Sequence, residues 1–189
     1  MKYRDARITD RVYSVASSHI FSTGLKGWQM DQLAEECGLT KRTLYKIVPN
    51  KEKLVEQVML KFIDSVQKNL SVVLKEGKSF NQSISDMADL FPQLVSGTNS
   101  GIIQEIFLEY PAIEEKLVSQ RSKITSGLIA FLQKGAKQGH VRKGLEPAFI
   151  IEMLQAFVLY FIKSDPTGVQ SPAKIRAAVH CLLYGILRD

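Results

Sequence analysis

Cysteine is scarce in this 189-residue chain: Cys37 and Cys181 are the only two. Two thiols so far apart supply neither a disulfide framework nor a CxxC metal or redox pair. Both fall in apolar patterns, so buried thiols in a reducing compartment are expected. The three histidines, His19, His140 and His180, lack zinc-site spacing. P-loop, GxSxG and HExxH motifs are missing, and the acidic pairs Asp86/Asp89 and Glu114/Glu115 read as solvated helix faces. These absences argue against an enzyme, a metal site and a cofactor. The longest apolar stretch, residues 148–162, is interrupted by Glu152 and Gln155 and is too short to span a bilayer. The opening MKYRDARITDR has no apolar core of a secretory signal, so a cytoplasmic protein without a membrane partner is expected. Repeats and low-complexity segments are lacking, and no strand pattern appears after Gly77.

What is present suits a packed, basic protein. Apolar residues make up 45%, enough for a core and too many for a disordered chain. The net charge is +6 and the isoelectric point about 9.3, which suits a polyanion but equally a generally basic soluble protein. The charge is denser at the start: residues 1–53 carry 10 Lys+Arg against 6 Asp+Glu, a net +4, and the other 136 residues carry a net +2.

Residues 29–51, QMDQLAEECGLTKRTLYKIVPNK, organise that basic segment. Met30, Leu33, Ala34 and Cys37 fall at i, i+3, i+4, i+7, the apolar face of a short helix. Gly38 follows as a stop, since glycine accepts a positive φ without strain. Thr40 is placed to cap a second helix running to Ile47, and Pro49 ends it. Lys41 and Arg42 lie in the first turn of that second helix, where the macrodipole makes each unfavourable by about 0.3–1 kcal/mol. An approaching anion would offset that cost. With Leu44 facing inward, Lys41, Arg42, Thr43, Tyr45 and Lys46 form an exposed rim. Two short helices, a glycine turn and a basic second helix describe a helix-turn-helix DNA reader.

Residues 7–54 resemble the DNA-binding domain of the TetR (tetracycline-repressor-like) regulators. The likeness is carried by Ile8, Ala16, Phe21, Gly24, Met30, Leu33–Ala34, Gly38–Leu39–Thr40, Thr43–Leu44–Tyr45, Asn50–Lys51–Glu52 and Leu54. It covers about a quarter of the chain and spans three helices, more than a lone helix-turn-helix pattern requires. Ile47 stands where the family has His or Tyr, Val48 where it has Phe, and Trp28–Gln29 where it has Thr or Ser. Ile47 has no donor for a phosphate. The base-edge candidates are Lys41, Arg42, Thr43 and Lys46, and the phosphate candidates are Gln29, Thr40, Tyr45 and Lys51.

The rest of the chain follows helical spacing. Residues 4–22 form a bracing helix with His19 on its packed face, and Trp28 is expected as a plug before the next helix. Asn50 caps a long helix over residues 51–75 with the stripe Leu54, Val58, Phe62, Val66, Leu70 and Val73. Phe80, Ile84, Met87 and Phe91 mark the next, kinked or reset at Pro92. A polar loop covers residues 96–101, a short helix stops at Pro111, and a long one stops at Gly139. Residues 138–147 form a basic, turn-rich loop. Pro147 and Ser171–Pro172 begin the last two helices. In the first of these, Phe157 and Phe161 belong to an almost unbroken apolar surface that needs a cover. In the second, Ala177, Cys181 and Gly185 make a stripe of small residues. Two such helices from each of two chains would form a four-helix homodimer interface, the arrangement the resemblance also implies; a monomer core is the alternative.

The expected architecture is therefore all-α with about nine helices. A helix-turn-helix DNA-binding domain occupies residues 1–50, and a helical effector-binding and dimerisation domain residues 51–189. Phe62, Phe80, Phe91, Phe107, Tyr110 and Phe131 together could line an apolar cavity, and a pocket for an apolar or aromatic effector is expected above all from Phe62, Phe91, Phe107, Tyr110 and Phe131, with Glu152 and Gln155 as polar contacts. Ordinary core is the better explanation of any one aromatic taken singly, and an interface ion pair the slightly better one for Glu152. Three functions compete. The first is a homodimeric regulator on a near-palindromic operator, by resemblance a repressor released by a small molecule. The second is an effector-free DNA-binding dimer controlled by a protein partner or acting architecturally. The third is a helical enzyme or interaction module, which leaves Lys41–Arg42 unexplained.

Overall fold

The computed structural model describes residues 6–75, 77–95, 102–164 and 171–187. Among them the elements are α1 (Ala6–Thr23), α2 (Met30–Glu36), α3 (Lys41–Ile47), α4 (Lys51–Val73), α5 (Phe80–Val95), α6 (Ile102–Glu109), α7 (Pro111–Lys137), α8 (Pro147–Ser164) and α9 (Ser171–Gly185). This is the all-α, nine-helix architecture the periodicity predicts. An isolated antiparallel bridge, Val141 to Leu187, is the one β feature of the described residues. The polar loop expected at residues 96–101 lies outside them.

Local chemistry sets most helix ends. Asn50 Oδ1 accepts from the Lys53 amide at 2.8 Å, and Ser79 Oγ from the Gln82 amide at 3.2 Å, capping α4 and α5. Pro111 opens α7, where a missing amide hydrogen costs nothing. At the end of α7, Gly139 takes φ +81° while the His140 amide reaches back to the Gly135 carbonyl and the Gly139 amide to that of Ala136. Pro92 sits inside a continuous α5, so of the two expected outcomes, a kink or a reset, the reset does not occur.

The chain divides into two compact units, Met1–Ile63 with Gly97–Leu117, and Asp64–Ser96 with Val118–Asp189. The domain boundary expected at 50/51 falls inside the first unit, because the start of α4, α6 and the start of α7 group with α1–α3. In the first unit Val12, Ala16 and Ile20 of α1, Leu33 and Ala34 of α2, Leu44 of α3 and Leu54, Val55 and Val58 of α4 are buried. Ile8 is more exposed than the spacing predicts. A buried carboxylate, Glu56, ties α4 to α7 through Lys116 (2.8 Å) and to its own helix through Lys53 (2.7 Å). In the second unit Leu70, Ile84, Met87, Leu128, Leu132, Ile150, Leu154, Ile175, Val179 and Leu183 share one apolar core, with α9 packed on α5 and α8. Asp86 and Asp89 are half-buried there and ion-paired, Asp86 to Lys78 (2.6 Å) and Asp89 to Arg176 (2.7 Å), so neither is the solvated residue expected.

Candidate nucleic-acid interface

The turn between α2 and α3 is built by backbone hydrogen bonds that glycine permits. Gly38 adopts φ +67°. The Leu39 amide then donates to the Ala34 carbonyl at 2.8 Å and the Gly38 amide to that of Glu35 at 2.9 Å, the paired closure of a Schellman motif. Thr40, extended at φ −72° and ψ 150°, caps α3 by accepting from the Thr43 amide at 3.2 Å. Leu44 is fully buried, which fixes the rotation of α3 about its axis. Lys41, Arg42, Tyr45 and Lys46 are consequently exposed, with 41/45 and 42/46 each one turn apart.

Neighbours modify several of the expected contacts. Lys41 Nζ donates to Asp31 Oδ2 at 2.8 Å, a pair exposed on both sides, and this hydrogen bond raises the lysine pKa. Such surface pairs contribute little, so a phosphate or base could displace Asp31. Thr43 is half-buried, and its hydroxyl shares a hydrogen bond with that of Thr40 at 2.9 Å. Gln29 is exposed at the N-cap of α2 in extended conformation, but its side chain makes no cap hydrogen bond. Val48 is buried, whereas Ile47 keeps partial exposure.

Lys51 is the main departure. Its Nζ turns inward, donating to the carbonyls of Leu25 and Trp28 (2.7 Å to the latter) and lying 4.1 Å over the Trp28 ring. Burial lowers its pKa. In this conformation the ammonium holds the loop before α2 instead of facing solvent. Trp28 is the expected plug, 2% exposed and stacked on His19 at 5.8 Å. His19 in turn pairs with Glu36 at 2.8 Å, and that bond holds the Glu36 carboxyl below its ordinary pKa. From α6, Glu105 Oε2 accepts from the Leu25 amide at 3.1 Å and sits so close to Gly24, itself at φ +77°, that a side chain there would collide with it. Sequence reasoning missed Glu105, which lies 80 residues from its partner. Asp31 could have been found, since an acid in the first turn of α2 is a local signal.

The expected effector residues are divided between the units. Phe62, Phe107 and Tyr110 belong to the first, where Phe62 packs on Phe21 at 5.3 Å and burial raises the Tyr110 pKa. Phe91, Phe131, Glu152 and Gln155 belong to the second. Glu152 and Gln155 are exposed, and Gln155 donates to Thr125 Oγ1 at 3.1 Å. An open cleft of about 450 Å³ lies in the second unit between the end of α4, the start of α5 and the end of α7; of the expected cavity aromatics, Phe80 and Phe131 line it.

On α8 and α9, Phe157 and Phe161 are half-buried, and Ala177 and Gly185 are exposed. Phe149 (53% exposed) and Tyr160 (64%) extend this bare apolar surface on α8, and Tyr184 extends it on α9. Cys37 is buried as expected, and burial raises its pKa; Cys181 is exposed, contrary to expectation, because it lies on the small-residue stripe and not on the core stripe of Ile175, Val179 and Leu183.

No protein-family model and no curated protein matches the sequence. Solved structures do. A TetR-family transcriptional regulator from Agrobacterium tumefaciens is similar with a TM-score of 0.81 at 14% identity, over 97% of this chain and 99% of that one. A putative TetR-family regulator from Rhodococcus sp. gives 0.75 at 14% identity, over 97% and 100%. The ketosteroid transcriptional regulator KstR2 of Mycobacterium tuberculosis gives 0.71 at 13% identity, over 96% and 95%.

Proposed function

The chain has the TetR-regulator fold over nearly its whole length, and we propose that it is a homodimeric, DNA-binding transcriptional regulator rather than an enzyme. The observation that carries this reading is α3. Its apolar anchor Leu44 is fully buried, its start is capped by Thr40, and Arg42, Tyr45 and Lys46 stand exposed on the side away from the anchor. Arg42 and Lys46 are the candidates for guanine edges, with Lys41 joining them once Asp31 is displaced. Thr43 contributes through its half-exposed side. Gln29, Thr40 and Tyr45 are positioned for phosphates.

Dimerisation is supported by the bare apolar surfaces of α8 and α9, where Phe157 and Phe161 edge a face that Tyr160, Ala177, Cys181 and Gly185 leave open. A two-fold dimer would set two readers on a near-palindromic operator, with half-sites about 34–36 Å apart or somewhat wider. Repression relieved by a small molecule is the most economical control. The long helix α4 supplies residues to both compact units. A ligand acts only through its preference for one of two reader spacings, with a usual coupling of about 5–150-fold. Selecting bound sequences from a random DNA pool, followed by mobility shift with competitor DNA, tests the proposal. A selected near-palindrome bound by the dimer upholds it, and binding indifferent to sequence overturns it.

A further inference from the structure

The cleft of the second unit combines a fixed aromatic wall with a cationic rim. Phe80 is sandwiched between Phe131, with centroids 4.9 Å apart, and His140, at 5.3 Å, each pair 11° from parallel. The sandwich depends on Gly135. A Cβ built there would lie 2.1 Å from the Phe80 ring, so only glycine lets that ring lie flat against α7. Ser83 closes the base, buried and donating to the Val73 carbonyl at 3.1 Å. The rim carries Lys75, Lys78 and Lys134, and none of the described residues that line the cleft is acidic. Lys78 is engaged with Asp86 at 2.6 Å, which assigns an incoming anion to Lys75 and Lys134.

From this juxtaposition we infer that the cleft binds a small organic carboxylate, its apolar body against Phe131 and the edge of Phe80 and its carboxylate between Lys75 and Lys134. The volume of about 450 Å³ falls within the range of small-molecule sites, roughly 300–1,000 Å³. Apolar walls with a few convergent polar groups are what such sites use to gain affinity and fix orientation. Two ammonium groups on the rim favour an anion over a neutral or cationic ligand of the same shape, because each can donate a charge-assisted hydrogen bond. The site shares Phe80 and Phe131 with the aromatic set expected from sequence. The inference rests on the effector reading only for its consequence at DNA, and not for binding itself.

The test uses the full chain and calorimetric titration with benzoate, 3-phenylpropanoate and decanoate, each beside its matching neutral alcohol. Saturable binding of at least one acid, one per chain and about tenfold or more tighter than its alcohol, is expected, the scale of one hydrogen bond to a charged group. The exposed double variant Lys75→Ala/Lys134→Ala should bring the acid down to the affinity of the alcohol, with unchanged circular dichroism. Phe131→Leu should weaken acid and alcohol alike. No saturable acid binding, equal binding of acid and alcohol, or a double variant that binds the acid like wild type overturns the inference. Acid binding that disappears in the double variant but leaves affinity for a pool-selected DNA unchanged upholds the site and overturns the effector reading instead.

Discussion

Replacing Lys51 separates two roles for one ammonium group. Sequence spacing makes it a phosphate contact at a helix start, whereas its Nζ holds the carbonyls of Leu25 and Trp28 and covers the Trp28 ring. Hydrogen bonds to a charged group contribute about 1.5–3 kcal/mol each, and a cation over an aromatic face about 0.5–1 kcal/mol at an exposed site. Two corrections reduce the sum. Burial already lowers the Lys51 pKa, which shows that the ammonium lost part of its hydration on folding. The site is also only half-buried, so water can take over one carbonyl in the variant. Lys51→Ala is therefore expected to destabilise the first unit by about 2 kcal/mol. Urea unfolding followed by far-ultraviolet circular dichroism measures this as a lower midpoint at unchanged slope. The salt dependence of DNA binding is the second arm. Removing a phosphate contact would lower the slope of log affinity against log salt by about one, and removing a loop strut leaves it unchanged. Wild-type stability with a slope lowered by one would refute the strut and restore the phosphate contact.

Four further outcomes follow from the same geometry. Arg42→Ala should cost about 1–3 kcal/mol on a selected site and relax sequence preference there; equal weakening on selected and random DNA would remove Arg42 from the base-reading set. Thr40→Ala removes the cap of α3 and should cost about 1 kcal/mol in chemical unfolding, and a variant as stable as wild type would show that the 3.2 Å bond to the Thr43 amide contributes nothing. Glu56 is held below its ordinary pKa of 4.5 by hydrogen bonds from Lys116 and then Lys53. Because the folded value is the lower one, its stabilisation is complete above 4.5 and is lost as pH falls through that lowered value. Glu56→Gln should thus flatten the acid limb of stability measured between about pH 6 and pH 3, and an unchanged limb would reject the assignment. Ala177→Glu places a charge on the bare stripe of α9 without entering the core, and should yield monomers in sedimentation; a wild-type monomer at micromolar concentration would overturn the dimer.

Helix identity and helix ends were legible because their causes are local. Gly38, Thr40, Asn50, Pro111 and Gly139 act within a turn of their own position, through positive φ, a side-chain acceptor or a missing amide hydrogen. The inward setting of Leu44, and with it the outward rim of α3, followed from helical spacing alone. At Pro92 a kink and a reset were both open, and only the reset is ruled out by the continuous α5: a proline signals a break but does not compel one when the helix is held by packing, and Pro92 itself is buried. Ile8 and Cys181 are exposed against expectation for a different reason. Apolar spacing identifies a face but not whether another element covers it.

The sequence by itself determined the helices of the described residues, a capped short helix with a basic rim and two helices rich in unsatisfied apolar surface, since periodicity, caps and charge need only neighbours within a few residues. The tertiary structure alone decided where long-range partners fall. It turned Lys51 onto two carbonyls 23 and 26 residues earlier and set Glu105 against an amide 80 residues earlier. It also placed Phe62, Phe107 and Tyr110 in one unit and Phe91 and Phe131 in the other, and set a lysine-rimmed cleft around Phe80 and Phe131. Such contacts depend on how whole helices pack, and a buried polar group takes whichever partner that packing brings within hydrogen-bond reach, however distant it is along the chain.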